Sequence, residues 1–380
     1  MLSQYSHKTK ICLNAIPCVI EDVCPCGIDI GYSAIKVKSP NNGSVIPSLC
    51  VRVTDDEPLV VGGTDIRYRD DEGNVWFVGS LAKKVISSDD ALSKTNNLLS
   101  RNRLQSEEFL VQIRVAMFFC KLQDIKSDYV LDERPLKIKT GLPPQYMKKD
   151  SQIIKERFIG THKFSIKIGK YNWKEVCITI GENDVSVCRQ PFGTLMSCAM
   201  NSDGQYTNVH LLHKNLLVVD PGFFSVDTLY TMQGSSRDGD SITWDNLGMK
   251  EVFQRTCNDI AKATNNQADI DVYQLEKSLS KGVVYYGSRK QEYNYVKDFK
   301  RNLREVCLEF IKRLNATYNN MLDVDVIILT GGTGLAWKEI IEEEYKDMTG
   351  LTIMIANNGY DIVSANVQGY YNFLVASLKK

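Results

Sequence analysis

Two aspartates, Asp29 and Asp220, each end an apolar run and stand two residues ahead of a glycine, in Gly27-Ile28-Asp29-Ile30-Gly31 and Leu217-Val218-Val219-Asp220-Pro221-Gly222. A carboxylate in that place repels phosphate. It can nonetheless hold a water-clad Mg2+ that draws phosphate in, because magnesium prefers oxygen ligands and keeps several of its waters. Glycines supply the complementary half of such a site: lacking a side chain, Gly31, Gly222, Gly331, Gly332 and Gly334 let backbone N–H groups come close to an anion. Lys36 lies seven residues beyond Asp29, on the strand that would return from the first turn, and its stem could carry a point charge to the phosphates. Each feature alone has a plainer meaning. Asp-x-Gly after an apolar run is a common hairpin signal, and Gly331-Gly332-Thr333-Gly334 suits any strand-to-helix connection. Their order, one aspartate loop in each half and a glycine turn further on, points to a two-lobed protein that closes on a nucleotide.

The elements that must position these loops are readable in outline. From Asp29 the chain runs strand, turn, strand, with Asn41-Asn42-Gly43 as the exit. Residues 45–80 alternate short β-like runs with turns at Asp55-Asp56, Gly62-Gly63 and Asp70 to Gly73, which suggests a small sheet insertion closed by Trp76-Phe77-Val78-Gly79. Helical spacing takes over from Glu107 to Leu122, with Phe109, Ile113, Ala116, Met117 and Cys120 as a core stripe, before a strand near Leu136 to Thr140. In the β-rich stretch 163–188, Lys163, Lys167, Lys170 and Lys174 read as a solvated face guarding a sheet edge rather than as a nucleic-acid patch. Residues 202–215 read as a loop where the chain crosses between lobes. Leu247 to Ala263 and Gln291 to Met321 have helical period, the second with Phe299, Leu303, Val306, Phe310 and Leu314 on one face. Gly331 to Gly334 would lead into a helix around Trp337 to Tyr345, whose first amides and dipole favour an anion.

Composition narrows the class. A chain of 380 residues exceeds one compact core, so two lobes are expected before any motif is read. Lys plus Arg equals Asp plus Glu at 46 each, so no overall positive field draws the chain to nucleic acid, and DNA would have to be reached through a partner. No apolar stretch is long enough to span a membrane. The eleven cysteines are odd in number and scattered, and no secretory leader is evident, so reduced thiols in a cytoplasmic protein are expected. Cys24-Pro25-Cys26, with Cys12 and Cys18 upstream, fits no standard zinc spacing, and the four histidines show no Glu-flanked helical pairing.

From about residue 24 to 380 the chain resembles the actin-like ATPases, and within them the ParM-type plasmid-segregating filament proteins. Asp29, Gly31 and Lys36 match that family's first phosphate loop, Asp220, Gly222 and Asp227 its second, and Gly331 to Gly334, with Thr333, its adenosine-side turn. Lys139-Thr140-Gly141-Leu142-Pro143 and a tail around Asn357, Tyr360, Asp361, Ala365-Asn366 and Gly369-Tyr370 also look like this family. There are two departures. Tyr32 stands where actin has a small hydroxyl residue, with Ser33 one place later, and Phe223-Phe224 replace small residues after the second glycine.

The resemblance implies a two-lobed actin-like (ribonuclease H-like) α/β ATPase fold with the nucleotide in the cleft between lobes. It divides the chain into an extension at 1–23, lobe I at 24–200 completed by 359–380, and lobe II at 201–358 with a helical subdomain at about 240–322. It implies ATP or GTP with Mg2+ held through water by Asp29 and Asp220, and nucleotide binding by Asp29, Gly31, Tyr32, Ser33, Lys36, Gly222, Phe223 and Asp227. Gln190, followed by Pro191, occupies the place of the family's water-positioning Gln or Glu, so Gln190 and Asp220 would be catalytic; the plainer reading of Gln190 is a first-turn helix residue. The implied partners are further copies of the chain in a cytoplasmic filament and a ParR-like DNA-binding adaptor. A small-molecule kinase of the same superfamily and a nucleotide-binding scaffold without hydrolysis are the alternatives. A heat-shock chaperone would carry a peptide-binding domain after the nucleotide fold.

Overall fold

The computed structural model describes residues 6–13, 18–54, 62–86, 101–125, 128–236, 239–287, 290–356 and 361–379. The turn expected at Asp55-Asp56 and the tail positions Asn357 and Tyr360 lie outside them. Contacts divide the chain into two compact units: His7–Thr207 with Ser364–Lys380, and Asn208–Val363.

In the first unit, β1 (Cys24–Ile30) is buried along its whole length, as a central strand covered on both faces must be. It pairs antiparallel with β2 (Ala34–Lys38), which is followed by β3 (Val45–Pro47). The next strands, β4 (Cys50–Val53), β5 (Ile66–Asp70) and β6 (Val75–Val78), lead to a short helix α1 (Ser80–Val85). Helix α2 (Glu107–Lys121) begins where the Ser106 side chain accepts from Phe109 N at 3.1 Å, with Glu107 and Glu108 set against the positive end of the helix dipole. A small ribbon, β7 (Leu122–Asp124) with β8 (Val130–Leu131), precedes β9 (Leu136–Leu142), α3 (Met147–Phe158), β10 (Gly160–Ile168), β11 (Lys174–Ile180), β12 (Val185–Arg189) and α4 (Gln190–Ala199).

Two five-stranded sheets result, ordered β12-β9-β1-β2-β3 and β11-β10-β5-β6-β4. The β-rich run at 45–80 is therefore divided. β3 extends the first sheet, while β4, β5 and β6 join β10 and β11 from a hundred residues on. The lysine face also needs correction: β10 lies inside its sheet, so Lys163 and Lys167 do not guard an edge. Across the outer side of β3 runs the segment before β1, with Lys10 N to Val45 O at 2.8 Å and Val45 N to Lys10 O at 3.0 Å, which occupies a strand edge otherwise open to pairing. Cys24 and Cys26 are buried on the same face of β1 with their sulfurs 3.9 Å apart, whereas Cys177 on β11 is the one exposed cysteine.

Two histidines in this unit are kept neutral by their surroundings. His162 is buried, shares Phe158 O through Nε2 at 2.8 Å and receives Arg114 Nε at Nδ1 at 3.4 Å; burial, with Arg114 and Arg157 nearby, lowers its pKa. His7 is lowered to about 4 by burial and by Lys36 and Lys83. An unfolded chain takes up these protons near the ordinary value of 6.5 and the folded chain does not, so the stability is complete above that pH and is lost as pH falls. Thermal melting should therefore show a falling Tm from pH 7 to pH 5, each histidine contributing at most about 1.4 kcal/mol per pH unit. The slope should flatten in a His7→Gln, His162→Gln double variant; an unchanged slope there would assign the effect elsewhere.

The second unit opens from Asn208 with a single helical turn, Val209–Leu212, inside the stretch 202–215 that the sequence suggests is a loop. β13 (Leu216–Pro221) pairs antiparallel with β14 (Ser225–Thr231), which pairs with β15 (Thr243–Asp245). Helices α5 (Met249–Ala263) and α6 (Val272–Ser278) follow, then a ribbon of β16 (Val283–Tyr286) and β17 (Gln291–Asn294), then α7 (Val296–Thr317). The long helix is thus shorter than its apolar period suggested. Its first residues pair as β17, Asn294 Oδ1 accepts from Val296 N at 3.1 Å at the helix entrance, and left-handed backbone at Asn319, Asn320 and Met321 follows its end. β18 (Val326–Leu329), α8 (Gly331–Glu344) and β19 (Thr352–Ile355) complete a sheet ordered β15-β14-β13-β18-β19, over which Phe299, Phe310 and Trp337 form the core.

The chain then returns to the first unit as α9 (Ala365–Leu378), which lies on β1 and crosses α4. The crossing has no room for side chains. A Cβ on Gly369 would overlap the Gly193 carbonyl and sit 2.7 Å from Ser197 N, and one on Gly141 would overlap the Tyr370 hydroxyl and stand 3.0 Å from Gln190 Cγ. Buried amides lock the contact: Asn366 Oδ1 accepts from Thr194 N at 3.1 Å and from Thr194 Oγ1 at 2.8 Å, and Asn372 Nδ2 donates to Met200 O at 2.8 Å. Among the described residues no helix is long and apolar enough to cross a membrane.

Candidate functional site

Each unit carries one hairpin of the same construction. In the first, the β1–β2 register sets Asp29 opposite Lys36 and Ile30 opposite Ile35, and Gly31 N donates to Ala34 O at 3.1 Å. In the second, the β13–β14 register sets Asp220 opposite Asp227 and Pro221 opposite Val226, and Gly222 N donates to Ser225 O at 2.8 Å. A Cβ would meet Ala34 O at 3.1 Å on Gly31 and Ser225 O at 3.2 Å on Gly222, so both turns are tighter than most side chains accept.

The first hairpin gathers charge. Asp29 is 2% exposed, and its two oxygens face different partners: Oδ2 meets Lys36 Nζ at 3.4 Å and Oδ1 accepts from Gln190 Nε2 at 2.8 Å. Gln190 reaches Asp29 because it is the first residue of α4, where Pro191 presets the helical turn, and because Tyr370 OH fixes its carbonyl at 3.2 Å. Asp29, Lys36 and Gln190 thus converge beside Gly31, Tyr32 and Ser33. Lys139 and Thr140 lie on the neighbouring strand β9, with Thr140 in register with Ile28.

The second hairpin gathers around helix ends. Asp227 is buried and accepts from Thr243 Oγ1 at 2.6 Å. Gly222 O and Phe223 O accept from Met249 N at 3.1 Å and Lys250 N at 2.7 Å, the first amides of α5. The Phe223 ring turns inward and meets Phe253 edge-on, with centroids 5.9 Å apart, so any ligand contact from this residue falls to its backbone. Gly331 opens α8 directly, earlier than the helix start expected near Trp337, and its φ of +74° is a conformation that glycine adopts without strain. A Cβ there would stand 3.6 Å from Asp220 Oδ1, which places that carboxylate next to the first turn of α8, whose amides have no partner within the helix.

Sequence reasoning missed three contributors. Ser48 Oγ donates to Gly31 O at 2.7 Å, Arg103 Nη2 donates to Ile30 O at 2.7 Å, and Thr243 holds Asp227. None belongs to a motif, and each arrives from a segment at least 15 residues away, so no spacing rule could have found them.

Residues 27–193 match the family model described as the N-terminal domain of actin like proteins. No curated protein sequence matches the chain. Among solved structures, a non-polymerisable quadruple mutant of pCBH ParM is 20% identical, with 92% of this chain and 98% of that chain covered at a TM-score of 0.72. A 15-stranded ParM filament from Clostridium botulinum is 19% identical, covering 93% and 99% at 0.72. An AlfA filament bound to AMPPNP is 15% identical, covering 92% and 94% at 0.53. Carrying an actin-like N-terminal domain at residues 27–193 and following these chains over more than nine-tenths of its length, the protein is a two-lobed α/β protein of the actin-like fold.

Proposed function

We propose that the chain is a nucleotide-driven, filament-forming ATPase of the ParM type that binds ATP or GTP with Mg2+. The observation that carries this reading is the pair of hairpins in identical register, each with an aspartate two residues before a tight glycine. The donor set suits the ligand. Asp29 and Asp220 are oxygen donors of the kind hydrated magnesium prefers. Lys36 and the first turn of α8 supply positive charge and N–H donors, and Gly331 leaves open the space a side chain would fill beside Asp220. When bound, Mg2+ would offset phosphate charge.

Gln190 does the work nearest the reaction. Its Nε2 is committed to Asp29, which orients the planar amide and leaves Oε1 as the end able to accept from a water. A neutral amide suits this role, since phosphoryl transfer depends on positioning more than on a strong base. Self-assembly is supported by the filaments among the similar structures, and nucleotide binding by the AMPPNP held by one of them. With acidic and basic residues balanced, we assign DNA contact to a ParR-like adaptor and place the filament in the cytoplasm, segregating plasmid DNA.

Sedimentation of the purified chain with ATP, GTP, ADP or no nucleotide tests the proposal. Pelleting that requires ATP or GTP is the expected result. Nucleotide binding without pelleting under any condition would replace the filament reading with a kinase or a scaffold.

A further inference from the structure

The first hairpin departs from the actin pattern at Tyr32, and the ring has a partner. Arg103, from the turn that precedes α2, places its guanidinium 4.0 Å from the centre of the Tyr32 ring and 5.5 Å from that of Phe109, while Nη2 donates to Ile30 O at 2.7 Å. Other donors hold the same loop from behind. Gly31 O accepts from Ser48 Oγ at 2.7 Å, Ser33 O accepts from Ser48 N at 3.1 Å, and Ser48 O is itself held by Gln112 Nε2. In a trans peptide the N–H points opposite to the C=O. With the carbonyls of Gly31 and Ser33 drawn toward Ser48, the amides of Tyr32 and Ala34 point away from it. Arg103 is thus the only cation among the described donors to this loop's backbone.

We propose that Arg103 is a positioning residue for nucleotide phosphates: stacked on Tyr32 and bonded to the Ile30 carbonyl, it braces the first hairpin so that its amides face the ligand. The inference rests on the reading of that hairpin as a phosphate loop. It also accounts for the departure at position 32, because the tyrosine there serves as the face on which the brace lies rather than as a hydroxyl donor. A lysine could not replace this arginine. The planar guanidinium stacks and donates within one rigid group, whereas an ammonium on a flexible stem does one or the other.

Two measurements on the full chain test this, using Arg103→Lys, Tyr32→Ser, Tyr32→Phe and the double variant Arg103→Lys, Tyr32→Ser. Hydrogen exchange of residues 31–34 without nucleotide reads the brace itself, and calorimetric titration with Mg-ATP reads the phosphate site. Arg103→Lys and Tyr32→Ser should each speed exchange at these amides and weaken ATP binding by about tenfold, and Tyr32→Phe, which keeps the ring face, should exchange more slowly than Tyr32→Ser. Because one contact is lost either way, the double variant should be no worse than the single ones. Native exchange and native affinity in Arg103→Lys or Tyr32→Ser would overturn the brace while leaving the functional proposal intact. Failure of the native chain to bind any nucleotide would instead overturn the phosphate reading, and the hydrogen-exchange arm separates the two failures.

Discussion

Replacing Gln190 by alanine is expected to slow phosphate release by about 10²-fold while nucleotide affinity stays close to native, because the loss is one of positioning and not of ligand contact. The expectation follows from the hydrogen bond that orients the side chain, Nε2 to Asp29 Oδ1 at 2.8 Å. Alanine removes both that bond and the acceptor proposed for the water. Gln190→Glu makes a second arm: it sets a carboxylate against the buried carboxylate of Asp29, and repulsion should displace the side chain and slow release as well. Release from Gln190→Ala at the native rate would refute the catalytic assignment.

The second large effect is expected at the crossing of α4 and α9. Gly369→Ala should destabilise the first unit by about 3 kcal/mol or prevent its folding, since the added carbon collides with backbone atoms of Gly193 and Ser197, which cannot rotate aside. Overpacking against side chains is relieved by rotamer changes; here the two helices must separate. That separation would also strain the Asn366 bonds to Thr194 and shift the start of α4, where Gln190 sits. Gly43→Ala is the control, because nothing lies within 4 Å of the carbon it would add. Urea denaturation followed by circular dichroism reads both, and a native midpoint for Gly369→Ala would show that the helices do not cross this closely.

What could be read in advance follows from the range of the interactions involved. The strands and turns around Asp29 and Asp220 were legible because an apolar run stopped by Asp-x-Gly is a local signal, and the seven-residue spacing from Asp29 to Lys36 recurs from Asp220 to Asp227. The partition of residues 45–80 between two sheets was not, since β5 finds its partner β10 only after a long excursion. The overestimated length of α7 has a local cause: Tyr293 and Tyr295 continue an apolar pattern that suits either a ribbon or a helix, and pairing with β16 decides between them. Gln190 shows the same limit within the candidate site. Its approach to Asp29 spans 161 residues and was suggested only by family resemblance, while Ser48 and Arg103, which no family pattern flagged, needed the fold itself.

The exposed position of Cys177, set against ten sulfhydryls that are wholly or partly covered, makes the native chain suitable for site-selective maleimide labelling. A fluorophore attached there would report from the sheet of β10 and β11, remote in sequence from both hairpins, and the proposed polymer growth could be tested by anisotropy without engineering a handle.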